Sequence, residues 1–180
     1  MNKYYYEIEE ILDYNPVSIC NWIKSTSGIK LSELKVKDLV FQNGMPIMTG
    51  NGVYIFKEND IPIYVGNCVA RNFVERIPAH FDVRHYGWFN SLLVTLIRRT
   101  YNRKIKEDKT DVNLSQSAEL AFENLELVLI NFSKYDKSAI NRLEDYLKIT
   151  LIPLNGFKHK KLKQNEIMVR DYIQYNQKEI

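Results

Sequence analysis

The chain has few of the residues that crosslink a protein or hold a zinc ion. Its 180 residues include two cysteines, Cys20 and Cys68, which are far apart and have neither a second cysteine nor a histidine cluster beside them. This pattern indicates neither a disulfide framework nor a structural zinc site. We interpret both residues as free thiols, as expected in a reducing compartment.

Long apolar runs are also missing. No stretch approaches the roughly 18 apolar residues that a membrane-spanning helix needs, so we expect no membrane partner. The first residues, in which Tyr4, Tyr5 and Tyr6 precede several glutamates, lack the basic start and apolar centre of a signal peptide. We therefore expect a cytoplasmic protein.

A strong excess of one charge is absent as well. The formal net charge is +3 and the isoelectric point is near 8.7, which is too mild to argue for a polyanionic partner. The hydrophobic content of 45% in 180 residues is enough for one well-packed domain with extensions.

The apolar patterns predict three segments. Residues 1–50 are predicted to form a helical N-terminal extension, which includes a helix over 16–24. Residues 51–158 are predicted to form the core. Residues 159–180 are predicted to be a basic C-terminal tail that is helical in part.

The core is predicted to follow the order strand, strand, helix, helix, strand, helix, with a further short helix before the third strand. This order indicates an α+β fold in which helices flank a small three-stranded antiparallel sheet. The predicted elements are a hairpin over 53–66, helices over 69–80 and from Phe89 past Ile97, the short helix near 117–122, a buried strand over 125–132, and a helix over 138–150.

The register of the hairpin decides whether two tyrosines lie on the same face of the sheet. If its turn has three residues, Lys57 pairs with Ile61 and Tyr54 lies directly opposite Tyr64. A loop one residue longer or shorter would put the two tyrosines on opposite faces of the sheet. Facing tyrosines are ordinary cross-strand pairs, so on their own they indicate packing rather than chemistry.

Glu144 is the second unusual residue. Ile140, Leu143 and Leu147 mark the buried stripe of the last core helix, and Glu144 falls on or at the margin of that stripe. An ionised carboxylate is costly to bury without a partner, so this side chain either pairs with a neighbouring cation or binds a metal ion.

These residues occur in an order that resembles the GIY-YIG nuclease family. The order is Gly52-Val53-Tyr54, Tyr64-Val65-Gly66, Arg76, His80, Glu144 and Asn155, and it spans about residues 52–157. The tyrosine motifs alone are moderately specific, whereas six positions in order on the expected elements are much more so. The family includes DNA-repair, homing and restriction endonucleases.

The resemblance implies a role for each matched position. Glu144 would hold one divalent cation, most suitably Mg²⁺ with Mn²⁺ as a substitute, and Arg76 would contact the scissile phosphate. Tyr54, assisted by Tyr64, would take a proton from the attacking water, although either tyrosine could be the base. His80 would contact a phosphate or orient the water. Asn155 would be a positioning residue near the metal.

Several features depart from the family pattern. The interval between Tyr64 and Arg76 is longer than usual, which makes Arg71 a rival for the arginine role. Pro78 lies between Arg76 and His80 and would weaken their shared placement if it broke the helix. His85 is then a reserve candidate for the histidine role.

One basic tract lies on or after the predicted helix that starts at Phe89, and a second follows directly after Asn155. From them and from the two reserve candidates we select possible nucleic-acid contacts: Arg71, His85, Arg99, Arg103, Lys158, Lys160 and Lys161. Taken alone, a charge run is usually a solvated surface. Beside a nuclease-like site, such residues are suited to phosphate contacts, which position DNA without specifying its sequence.

The resemblance therefore implies a magnesium-dependent endonuclease that hydrolyses DNA and is most similar to a stand-alone restriction-type enzyme. Double-stranded DNA is the expected partner, and cleavage of both strands would suggest a homodimer. The alternative is a nucleic-acid-binding module that keeps the fold without turnover. A third interpretation is a structural protein in which the motif is incidental.

Overall fold

A mixed five-stranded sheet forms the centre of the molecule. The structure, a computed structural model, describes residues 3–42, 45–46, 50–101, 108–132, 136–157, 162 and 166–175. Its strands are β1 (Tyr5–Glu7), β2 (Ile29–Lys30), β3 (Phe41–Gln42), β4 (Met45–Pro46), β5 (Gly52–Glu58), β6 (Ile61–Cys68) and β7 (Leu125–Asn131). Strands β3 and β4 pair separately as a small ribbon.

The helices lie before, between and after the strands. They are α1 (Pro16–Ser25), α2 (Phe73–Ala79), α3 (Ser91–Tyr101), α4 (Asp111–Asn124), α5 (Lys137–Leu151) and α6 (Val169–Tyr175), with 3-10 turns at Ile8–Glu10 and Val36–Leu39. The α+β class is confirmed. No helix that the structure describes has the length and apolar character that crossing a bilayer requires.

The prediction of a three-stranded antiparallel sheet was incomplete. Strands β7, β5 and β6 do form an antiparallel unit with β5 in the middle. On the far edge of β7, however, β1 pairs in parallel and β2 pairs antiparallel. The first fifty residues therefore supply strands as well as helix, because the open edge of β7 needs hydrogen-bond partners.

Helices cover both faces of the sheet. Helices α2, α3 and α4 pack on the face that carries Tyr54 and Tyr64. Helices α1, α5 and α6 pack on the face that carries Val53, Ile55 and Val65. The alternation of side chains along β5 and β6 separates the two clusters, as the pleat of a strand requires.

The hairpin register differs from the prediction. Glu58 pairs with Ile61 across a two-residue turn, and Tyr54 lies opposite Gly66, not Tyr64, whose partner is Phe56. The pairing shifts by one residue beside Phe56, where β6 carries the additional residue of a β-bulge. A two-residue turn alone would have put the tyrosines on opposite faces, and the bulge returns both to one face.

Two helix starts differ from the predicted ones. Phe89 precedes α3, which begins at Ser91, and its side chain is 40% exposed, so it does not belong to the buried face of that helix. Helix α4 begins at Asp111, well before the predicted start near residue 117, because Thr110 caps it by accepting from the Asn113 backbone N–H at 3.1 Å.

Candidate functional site

The side chain of Tyr54 is the centre of the candidate site. It has no exposed surface, and its hydroxyl is 2.5 Å from His80 Nε2 and accepts from Arg76 Nε at 3.2 Å. Its ring stacks on that of Tyr64, with centroids 6.3 Å apart. Four of the predicted site residues therefore meet on one face of the sheet.

Steric contacts explain why each tyrosine motif contains a glycine. A Cβ at Gly66 would lie 2.3 Å from the Tyr54 hydroxyl oxygen, because the phenol crosses directly over its strand partner. A Cβ at Gly52 would lie 2.0 Å from the Ile130 carbonyl oxygen, where β5 and β7 approach closely. Each motif thus needs glycine so that its neighbours can occupy their positions.

Helix α2 places Arg76 and His80 together. Asn72 caps it, accepting from the Glu75 backbone N–H at 3.0 Å, and this cap sets the start of the helix. Residues four apart share one side of a helix, so both side chains reach the Tyr54 hydroxyl. Pro78 lies in the last turn and does not disturb this placement.

His80 is enclosed by the protein. It is fully buried, and burial together with the nearby charge of Arg76 lowers its pKa to about 3, so the ring is neutral at pH 7. The Leu92 backbone N–H donates to Nδ1 at 3.4 Å, which favours a proton on Nε2 that is donated to Tyr54. The ring thus lies inside the core and is not placed for a surface contact with phosphate.

Sequence reasoning missed Ser91, which joins the two tyrosines through this histidine. Its hydroxyl is 2.9 Å from the Tyr64 hydroxyl and 3.4 Å from His80 Nδ1. Tyr64 is 7% exposed, slightly more open than Tyr54. A serine at a helix start is ordinary, so no sequence signal could have identified this contact.

The phenol of Tyr54 is difficult to ionise. Burial raises its pKa well above the ordinary value, and the neighbouring Tyr64 adds to this, while Arg76 acts in the opposite direction. No hydrogen bond joins the terminal nitrogens of Arg76 to the residues that the structure describes, and the side chain is partly exposed. The free end of this guanidinium is therefore suited to a phosphate.

Glu144 lies on the other face of the sheet. Its carboxylate accepts from Asn67 Nδ2 at 2.5 Å and pairs with Lys148 Nζ at 2.7 Å, and Asn67 lies on the face opposite Tyr54. Its position at the margin of the buried stripe is confirmed. The salt bridge considered from sequence is also present, as an i,i+4 pair within α5.

The charges on the two faces both act on Cys68, the last residue of β6. Burial raises the pKa of this thiol to about 12, Arg76 acts to lower it and Glu144 acts to raise it. Arg76, on α2, and Glu144, on α5, therefore both lie close enough to the end of β6 to act on this thiol. No hydrogen bond links Glu144 to either tyrosine or to Arg76 in the described part of the chain.

The surroundings of Glu144 can be compared with the needs of Mg²⁺. The amide of Asn67 donates both to Glu144 and to Asn141 Oδ1, at 2.9 Å for the latter, so several oxygens lie close together. Carboxylate and amide oxygens are suitable ligands for Mg²⁺. These oxygens could hold a cation only after both Lys148 and the Asn67 amide N–H release the carboxylate. Within the described ranges no group of three or more His, Cys, Asp or Glu side chains could hold a metal.

Asn155 forms a clamp on the outer edge of β6. Its Oδ1 accepts from the Val65 backbone N–H at 3.0 Å, and its Nδ2 donates to the Val65 carbonyl at 2.7 Å. The neighbouring Leu154 N–H donates to the Ile63 carbonyl at 3.0 Å. The observed contacts of Asn155 are with backbone, and they fasten the chain after α5 to the edge strand.

The remaining predicted contact residues are dispersed. Arg71 is exposed and lies over the Phe89 ring at 4.6 Å, and His85 pairs through Nδ1 with Asp111 at 2.7 Å. Arg99 pairs with Glu58 at 2.6 Å, at the turn end of the hairpin. The other four lie outside the described residues: Arg103, Lys158, Lys160 and Lys161.

A separate surface concavity of about 530 Å³ lies near β2. Its charged lining is mixed, with the lysines Lys30, Lys35 and Lys37 against the acids Glu33, Asp38 and Glu126. Because the positive and negative side chains are balanced, the concavity has no preference for an anionic or a cationic ligand. None of its lining residues belongs to the tyrosine cluster, by which we mean Tyr54, Tyr64, Arg76, His80 and Ser91.

Comparisons with known proteins leave the family of the chain open. Neither protein families, nor curated proteins, nor solved structures give a match to this chain. The fold and the tyrosine cluster are therefore the basis of any functional conclusion.

Proposed function

We propose that this protein is a metal-dependent endonuclease that hydrolyses DNA phosphodiester bonds through a GIY-YIG-like site. The observation that carries the proposal is the meeting of Arg76 and His80 at the Tyr54 hydroxyl, beside Tyr64. These groups come from separated parts of the chain, in the order typical of that family.

Arg76 has the leading role in this proposal. Its Nε is held by Tyr54, which leaves the terminal nitrogens to grip the scissile phosphate and stabilise charge that develops in the transition state. Tyr54 and His80, both fully buried, act as positioning residues for that guanidinium. The more open Tyr64 is the better candidate to accept a proton from the attacking water.

Glu144 would hold the cation, Mg²⁺ or Mn²⁺, which when bound neutralises charge on the leaving side of the phosphate. For this, Lys148 must leave the carboxylate, since the two are paired at 2.7 Å. Double-stranded cleavage would then be carried out by two copies of the chain.

One observation favours a second candidate function. Tyr54 and His80 have no exposed surface, and Glu144 is already paired with Lys148, as in a domain that binds nucleic acid without cutting it. This module would share the partner, DNA, and would need no metal.

Plasmid nicking with Mg²⁺ or Mn²⁺ tests the proposal. The wild type should nick supercoiled DNA and stop on chelation, while Arg76→Ala and Glu144→Gln should each lower the rate at least 100-fold, as the loss of a charge-stabilising group does. Glu123→Gln, an exposed glutamate on α4, is the matched control.

The outcomes separate the candidates. Retained DNA binding without nicking at high protein concentration would favour the binding module. Full activity in Glu144→Gln would remove that residue from the metal site. Folding of each variant is checked by circular dichroism.

A further inference from the structure

Three aromatic side chains project from the segment 82–90, between α2 and α3. Trp88 is 91% exposed, Tyr86 is 63% exposed and Phe89 is 40% exposed. Tryptophan is on average one of the more buried residue types, and an exposed aromatic group of this size is a mark of a binding surface. The Trp88 side chain makes no hydrogen bond and no ring or cation–π contact with the residues that the structure describes.

The segment is held firmly by its own hydrogen bonds. The Asp82 carboxylate accepts from the Arg84 backbone and guanidinium at 2.8–3.1 Å, and Asn90 Nδ2 donates to the carbonyls of Asp82 and Arg84. At its centre, the His85 backbone N–H donates to Asp111 on α4 at 2.6 Å. The aromatic rings are therefore presented on a pre-organised loop, which lowers the entropy cost of binding.

Arginine side chains lie close to two of these rings. The guanidinium carbons of Arg71 and Arg76 lie 4.6 and 5.4 Å from the centroid of Phe89. Arg84 lies 5.4 Å from the centroid of Tyr86, although it is paired with Asp82. The contact between Phe89 and Arg76 joins this surface directly to the tyrosine cluster.

We propose that segment 82–90 is a stacking platform for unpaired bases, and that the DNA bound at the site contains single-stranded or locally opened nucleotides. Aromatic faces beside cations fit a flexible strand, in which bases stack on the rings while phosphates meet the guanidiniums. An intact duplex keeps its base faces stacked inside, where Trp88 cannot reach them. The inference rests on the proposed function and specifies its substrate.

Binding assays without metal test this surface independently of cleavage. The probes are a labelled 20-nucleotide single strand, the same sequence as a duplex, and that duplex with a central run of mismatches, each in EDTA. The wild type should bind the first and third at least tenfold more tightly than the duplex.

Substitutions test whether Trp88 is responsible for the binding of unpaired bases. Trp88→Ala should weaken binding of the single strand and the mismatched duplex about 5- to 150-fold, the loss expected for one stacked base, and should leave intact-duplex binding unchanged. Trp88→Phe should retain most of the affinity. Leu120→Ala, which removes an exposed apolar side chain on α4, is the matched control and should have no effect.

Stacking also has a spectroscopic signature. The chain has two tryptophans, and Trp22 packs edge-on against Tyr6 with centroids 5.2 Å apart. In Trp22→Phe, single-stranded DNA should quench the remaining Trp88 emission. Because Trp88 is almost fully exposed, its substitution should not change the folded circular dichroism spectrum.

The results distinguish this inference from the nuclease proposal. Nicking with equal affinity for duplex and single strand, and no effect of Trp88→Ala, would overturn the inference and leave the nuclease standing. Single-strand binding that depends on Trp88 without any nicking would support the platform and overturn the nuclease. Self-association that Trp88→Ala abolishes, with no DNA binding, would overturn both and assign the surface to a second copy of the chain.

Discussion

At the scale of single residues, Tyr54 belongs both to the candidate site and to the hydrophobic core. Its phenol fills the space above Gly66 and holds both Arg76 and His80. A buried polar group that lost such partners would cost about 1–3 kcal/mol, so the cluster serves stability as well as any reaction. Substitutions of Tyr54 would consequently mix the two effects.

His80 gives a clear dependence of stability on pH. Its pKa is about 3 in the folded protein, against an ordinary value of about 6.5 for unfolded histidine. Between these values the unfolded state binds more protons, so the contribution is complete above pH 6.5 and is lost as pH falls toward 3. We expect a slope of about 1.4 kcal/mol per pH unit in this range.

Chemical denaturation from pH 7 to pH 4 measures this slope. His80→Gln should be less stable than the wild type at pH 7 and should show a shallower decline on acidification. An unchanged slope in the variant would mean that another group titrates in this range.

At the scale of secondary-structure elements, the edge strand β6 matters most for the geometry of the candidate site. Its bulge brings Tyr64 to the face of Tyr54, and its outer edge is bonded by Asn155 and Leu154. An edge strand with free backbone groups invites pairing with other chains. The segment after α5 thus protects the strand that positions the site.

Removal of the Asn155 clamp should reduce stability. Asn155→Ala leaves the Val65 N–H and carbonyl without their partner, and we expect a loss of about 1–3 kcal/mol. Urea unfolding measures this loss, and hydrogen exchange should show faster exchange of the Val65 amide. Asn124→Ala, which removes a local bond to its own helix, is the control and should change stability by less than about 0.5 kcal/mol.

A different result would support the position near the metal that the family resemblance implies for Asn155. If Asn155→Ala kept full stability and raised the metal concentration needed for cleavage, Asn155 would act near the cation. The clamp would then be incidental.

At the scale of the whole molecule, the first thirty residues belong to the same folded unit as the hairpin. Tyr5 pairs with Leu129 in the sheet, and Ile8 and Ile11 are buried in the cluster that contains Val53 and other β5 residues. The helices on the two faces share one sheet. We therefore expect a single cooperative unfolding transition, as is usual for small domains.

Ile11→Ala tests this integration. Ile11 has no exposed surface, so the substitution should cost about 2–5 kcal/mol and lower the midpoint of the entire transition. Val17→Ala, at a position that is 65% exposed on α1, is the control and should change stability by less than about 0.5 kcal/mol. Two separate transitions would instead indicate an independent N-terminal extension.

The sequence by itself determined the main helices and strands, because apolar periodicity and capping residues act locally. The helix from Pro16, the buried strand from Leu125 and the marginal position of Glu144 all follow from such local patterns. The placement of Arg76 and His80 on one side of a helix also needs only the pitch of α2.

Only the tertiary structure decided the arrangement around the hairpin. The bulge near Phe56, the addition of β1 and β2 to β7, and the contact of Ser91 with Tyr64 depend on residues distant in sequence. The placement of Glu144 across the sheet from Tyr54 depends on how α5 packs. Such features arise from competition among long-range contacts for one core and for free strand edges, which no local pattern encodes.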